Sequence, residues 1–112
     1  MPKLADPVDA AFKALADPTR RQVVERLGAG PASTSTLAEP FDMALPSFTQ
    51  HLAVLERAGI VTSTKQGRTR TFRLAPAGLD ELTAWVAEQR LVWEQRLDQF
   101  DDFVIRQQEK NT

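Results

Sequence analysis

The sequence predicts a mainly α-helical chain with one small β-hairpin, and three observations carry that prediction. Apolar residues recur at helical spacing through most of the chain, whereas only residues 60–74 are rich in β-branched residues around a glycine turn. From Pro76 to Gln108 there is no glycine after Gly78 and no second proline, so nothing interrupts a long helix. The chain has 112 residues and no cysteine, which suits one domain over 1–112 that folds without disulfides or thiolate-bound metal.

The elements follow in order. Val8, Ala11, Phe12 and Leu15 form one apolar stripe, which predicts a helix over 8–16. Asp17 then serves as N-cap and Pro18 as first residue of a second helix, whose apolar face is Val23, Val24 and Leu27 and whose stop is the stretch Gly28 to Pro31. Ser33 to Thr36 offer hydroxyls to cap a short third helix carrying Leu37 and Ala38, limited by Pro40. After a turn at Phe41 to Ala44, Pro46 opens a fourth helix that runs to about Ala58, with Gly59 placed to end it. Neither Ala44 nor Leu45 is a good N-cap, so Ser47 is expected to help the start. Phe48, Leu52 and Leu55 share one face of this helix, and Ser47, Thr49, Gln50 and Ala53 point away from it.

Ile60 to Lys65 and Thr69 to Leu74 read as two strands joined across Gln66-Gly67-Arg68. Phe72 and Leu74 face inward, Thr71 and Arg73 take the other face, and Lys65, Arg68 and Arg70 make the hairpin tip cationic. The last helix, 76–108, carries Leu79, Leu82, Val86, Trp93, Leu97, Phe100 and Val104 at helical spacing. At 1.5 Å per residue it spans about 50 Å, more than so small a core covers. Pairing of this helix with its own copy, aided by the first helix, is the economical way to bury Trp85, Trp93, Phe100 and Phe103. The expected dimer interface is therefore Phe12, Leu82, Trp85, Val86, Trp93, Leu97 and Phe100.

Charge divides unevenly. Residues 1–45 carry five basic and six acidic side chains, residues 46–78 five and one, and residues 79–112 four and eight, although the net charge is only −1. A basic island in an acidic chain is what a local phosphate-binding face requires.

Two short helices across a sharp turn (33–58), followed by a basic hairpin (60–74), is the order of a winged helix-turn-helix, in which the second helix enters the major groove of double-stranded DNA. An outward face that is small and hydrogen-bonding permits that approach, and Ser47, Thr49 and Gln50 satisfy it; glutamine pairs bidentately with adenine. His51 sits at the edge of the buried face, where a DNA contact and a structural hydrogen bond are both open readings. Lys65, Arg68 and Arg70 suit phosphates or the adjacent minor groove, against the plain alternative of surface charge. Ser33, Ser35 and Arg73 are weaker backbone candidates, since helix capping explains the serines equally well. For Arg20 and Arg21 the choice lies between the DNA backbone and a carboxylate on a neighbouring helix, the latter preferred.

The runs FKALADPTRRQVVERL (12–27), LAEPFDMALPSFTQHLAVLERAGIV (37–61) and GRTRTFRL (67–74) together resemble the ArsR/SmtB-type winged-helix repressors over residues 8–105. The resemblance implies a homodimer joined through its first and last helices, binding an inverted-repeat operator and blocking transcription. It also implies DNA contact by Ser47, Thr49, Gln50 and His51 in the TQHL segment and by the hairpin arginines. Metal-sensing members use cysteines before the recognition helix or His and acidic ligands on the last helix. Here LAEPFDMA has no cysteine and His51 is the only histidine, so the chain is more similar to the metal-independent branch, with no metal or cofactor expected.

Other function classes find little support. Asp101-Asp102 is an adjacent acidic pair, but neighbours in a helix point about 100° apart, so it does not read as an acid/base pair and no enzyme is predicted. A protein-interaction module is the stronger rival, but it has no reason to set Lys65, Arg68, Arg70 and Arg73 beside an uncharged polar helix face. A small-molecule effector pocket lined by Trp85 and Trp93 is compatible with repression, although dimer packing is the preferred role for both rings. No apolar run approaches the roughly 20 residues of a membrane span, and MPKLADPVDA has no apolar signal stretch, so a cytoplasmic protein is expected.

Overall fold

The computed structural model describes residues 6–110. The start of the MPKLADPVDA segment therefore lies outside the described residues. The elements are α1 (Pro7–Leu15), α2 (Pro18–Leu27), β1 (Ala32–Ser33), α3 (Thr34–Ala38), α4 (Leu45–Arg57), β2 (Val61–Gln66), β3 (Thr69–Leu74) and α5 (Pro76–Lys110). Residues up to Leu82 form one compact unit, and α5 from Thr83 onward forms a second.

In the first unit α1, α2 and α3 each start where a side chain supplies a cap. The Asp6 carboxylate accepts from the Val8 amide at 2.9 Å, Asp17 from the Arg20 amide at 3.0 Å, and Ser33 Oγ from the Thr36 amide at 3.2 Å. The start of α4 differs from expectation. Its N-cap is Ala44 with no side-chain bond, and Ser47 does not assist it; proline at the second helical position supplies the preset φ instead. The turn before it is held by Phe41, whose ring packs on Phe48 at a centroid separation of 5.4 Å.

The core joins Ala11 and Ala14 of α1, Val23 and Leu27 of α2, Leu37 of α3, and Phe48, Leu52 and Leu55 of α4 to Ala32, Ile60, Val61 and Phe72. No polar side chain is buried among the described residues, so apolar burial holds this unit together. Leu79 and Leu82 at the start of α5 pack against the same core.

The expected hairpin is part of a three-stranded antiparallel sheet of order β1-β3-β2. Ala32 pairs with Phe72 and Ser33 with Thr71, an edge too short to show any alternating pattern in the sequence. The turn is tighter than expected. Gln66 pairs with Thr69, which leaves Gly67 and Arg68 as a two-residue loop, and Gly67 takes φ +61° at its first position as such turns demand.

Gly78 marks a close approach of backbones. Its amide donates to Gly59 O at 2.9 Å, and a Cβ there would lie 2.5 Å from Ala58 O and 2.9 Å from Gly59 C. Gly78→Ala is expected to destabilise the protein by about 1–3 kcal/mol despite the better helix propensity of alanine, read as a lower urea midpoint at unchanged slope.

Candidate nucleic-acid interface

Burial of Phe48, Leu52 and Leu55 sets how α4 is turned. At 100° per residue, Gln50 lies about 200° from Phe48 and points directly outward, Thr49 and Glu56 flank the helix on one side, and Ser47 and His51 flank it on the other. Ser47, Thr49 and Gln50 are all exposed. The Thr49 hydroxyl donates to Pro46 O at 2.9 Å, which leaves its methyl and oxygen lone pairs outward.

On the Thr49 side a groove opens between α4 and the sheet, lined by Thr34, Thr49, Ala53, Glu56, Lys65, Arg68 and Arg70 among others. The pairing register explains the gathering of cations: Lys65 stands opposite Arg70, and Ser63 opposite Phe72, so all four share the face that Phe72 turns toward the core. Arg70 Nη1 donates to Ser63 Oγ at 2.8 Å, and the Ser63 hydroxyl donates to Glu56 Oε2 at 2.7 Å. The wing is thereby tied to the C-terminal turn of α4. Arg73 is not brought into this groove; it pairs with Thr62 on the other sheet face and donates to the Thr64 hydroxyl.

A second groove is lined by Ser33, Thr34, Ser35, Leu45, Arg68, Thr69 and Arg70. Ser33 is occupied there in capping α3 and in bonding the Ser35 and Thr36 hydroxyls. Thr34 lines both grooves, although within a run of four hydroxyl residues nothing in the sequence distinguishes a cap from a groove wall.

On the other flank His51 meets Arg20, with Nη1 3.0 Å from Nδ1. Arg20 also donates from Nε to Ala14 O at 2.7 Å and from Nη2 to Lys13 O at 3.0 Å, while Arg21 donates to Leu15 O at 2.8 Å. The preferred expectation of carboxylate partners for both arginines is thus corrected. The last carbonyls of α1 attract them, as the negative end of any helix does. Asp17 Oδ2 lies 3.8 Å from His51 Nδ1.

The expected dimer residues divide. Leu82 is half-buried against its own core, whereas Phe12, Trp85, Val86, Trp93, Leu97 and Phe100 are exposed, Leu97 and Phe100 each by 62%. Asp101 and Asp102 are exposed on α5, and among the described residues no group of three or more His, Cys, Asp or Glu is placed to hold a metal ion. None of the described helices is long and apolar enough to cross a membrane.

Asp17 gives this cluster a pH signature. Partial burial works to raise its carboxyl, but the Arg20 amide, the electrostatic influence of the His51 and Arg20 side chains, and the Thr19 amide outweigh it and hold the group below the usual carboxylate range. A depressed folded value contributes stability above the unfolded pKa and loses it as pH falls. Asp17→Asn is therefore expected to be less stable than wild type at about pH 6 and to converge on it below about pH 3, measured as the gap between urea midpoints.

A helix-turn-helix domain family model matches residues 15–64. The HTH-type transcriptional regulator Rv2034 of Mycobacterium tuberculosis is 43% identical over 74 residues, which is 66% of this chain and 69% of that protein. The transcriptional repressor SdpR of Bacillus subtilis is 31% identical over 75 residues, covering 67% and 83% respectively. Among solved structures, the ArsR family transcriptional regulator RHA00566 superposes with a TM-score of 0.77 at 49% identity, over 80% of this chain and 98% of that one. An ArsR-like transcriptional regulator from Rhodococcus sp. RHA1 gives 0.74 at 28% identity, over 87% and 92%. With its winged helix-turn-helix architecture and these similarities, the chain belongs to the ArsR/SmtB family of transcriptional regulators, which are not enzymes.

Proposed function

We propose that this protein is a cytoplasmic homodimeric repressor that binds an inverted-repeat operator in double-stranded DNA. The observation that carries the reading is the pairing of an outward helix face that is polar and uncharged, Ser47, Thr49 and Gln50, with a groove that gathers Lys65, Arg68 and Arg70 beside it. In this reading α4 lies in the major groove with Gln50 toward base edges, and the β2–β3 hairpin lies along the adjacent backbone. Ser33 and Ser35, at the mouth of the second groove, and Arg73, on the far sheet face, are secondary backbone contacts at most.

The exposed apolar face of α5, with Phe12 of α1, supplies the dimer contact in this reading. A surface carrying Trp93, Leu97 and Phe100 at more than half exposure is costly to leave in water, and a two-fold partner covers it with one repeated interface. Metal-independent action is supported by the chemistry present: the segment 37–44 has no cysteine, and the chain's one histidine faces Arg20.

The test is a binding titration on the protein's own upstream DNA at two salt concentrations, with and without unrelated competitor; binding that resists competitor supports the reading, and its complete absence favours a protein-interaction role. On the bound DNA, Gln50→Ala is expected to lower operator affinity by about 1–3 kcal/mol and barely alter non-specific binding. Arg68→Ala is expected to weaken binding to all sequences and to reduce the salt slope by about one. Leu97→Glu is expected to convert a dimer to a monomer in sedimentation while far-UV circular dichroism keeps its helical signal, and a persistent dimer places the interface elsewhere.

A further inference from the structure

We propose that Arg20 is a positioning residue that holds His51 in the tautomer with its proton on Nε2, so that the recognition helix presents a fixed hydrogen-bond donor to DNA beside Gln50. The inference rests on the DNA-binding reading above. Its first premise is the 3.0 Å contact between Arg20 Nη1 and His51 Nδ1. A guanidinium has donors only, so Nδ1 must accept, and a neutral imidazole that accepts at Nδ1 carries its hydrogen on Nε2.

The guanidinium is not free to turn away. Its Nε and Nη2 are held by Ala14 O and Lys13 O at 2.7 and 3.0 Å, and its own amide is capped by Asp17, so the planar fork offers Nη1 to His51 in one direction. The last carbonyls of α1 thus orient a side chain on α4.

The second premise concerns the other ring nitrogen. The His51 side chain is 22% exposed, and Nε2 has no hydrogen-bond partner among the described residues. None of their side-chain nitrogens is buried without a partner, so Nε2 keeps some contact with solvent. It lies on the flank of α4 opposite the wing groove, one residue from Gln50. A ring locked by its neighbour costs less ordering entropy on binding than one that must choose its tautomer and rotamer at the DNA.

Because the chain has a single histidine, a long-range proton–nitrogen correlation spectrum of the labelled protein at about pH 8 reports this ring alone. Wild type is expected to show an unprotonated Nδ1 and a protonated Nε2, and Arg20→Met to move both signals toward the tautomer mixture of a free imidazole. An Nδ1–H ring or an averaged pair of shifts in wild type overturns the proposal, and this spectrum decides even if Arg20→Met does not fold. On operator DNA, His51→Gln, whose amide overlays Nε2, is expected to stay within about threefold of wild type, while His51→Ala and His51→Asn lose about tenfold. Equal losses for Gln and Ala remove the Nε2 donor from the interface. A wild type that binds no DNA at all instead overturns the regulator reading itself, and the donor's role with it.

Discussion

Complete burial of Phe48 and Leu55, with Leu52 only 2% exposed, fixes the rotation of α4 about its own axis, and the rest of the surface follows from that rotation. A helix so anchored has one direction left to present, and Gln50 occupies it. The two flanks then acquire different neighbours. Thr49 and Glu56 face the sheet and its cations, while His51 faces α2 and the end of α1. Loss of packing at Phe48 would therefore do more than lower stability, because the polar face would no longer have a defined heading.

Electrostatics refines what packing sets. The basic island in residues 46–78 contains a single carboxylate, Glu56, and the fold brings it to the Ser63 hydroxyl that Arg70 also engages. An acid inside a cationic groove weakens attraction to phosphate, yet here it orients one of the cations through a shared hydroxyl. The chain of bonds also couples the wing to α4, two elements whose relative angle a DNA duplex would test. The acidic residues concentrated beyond residue 79 belong to α5, away in sequence from every proposed contact with phosphate.

Much of this was legible in the sequence because the signals were local. Caps at Asp17 and Ser33, proline at helix starts and glycine at the hairpin each act within a few residues, and the helices appear within a residue or two of their expected bounds. What escaped was long-range. Strand β1 is two residues long and exists only because β3 offers it an edge, so no periodicity announces it. The role of Arg20 depends on carbonyls six and seven residues back and on a ring thirty-one residues ahead. Charge pairing was the natural guess for an arginine near acids, but a helix terminus offered several aligned acceptors in one place. Gly78 read as an ordinary helix residue, whereas its lack of a Cβ is what lets α5 begin against Gly59.

The last helix divides its length between two different surroundings. Leu79 and Leu82 pack into the core of their own chain, so the first turns of α5 are part of the winged-helix unit. From Trp85 onward the large apolar residues are exposed by 39% or more, apart from Val104, which is half-buried. A helix that needed only to close its own domain would have changed to a polar face after Leu82. This one keeps the apolar repeat for another twenty residues and flanks it with acids. Such a surface, apolar and rimmed by charge, is of the kind that the proposed dimer would cover. In the proposed dimer a two-fold axis would present α4 twice, as a pair of half-sites in DNA requires.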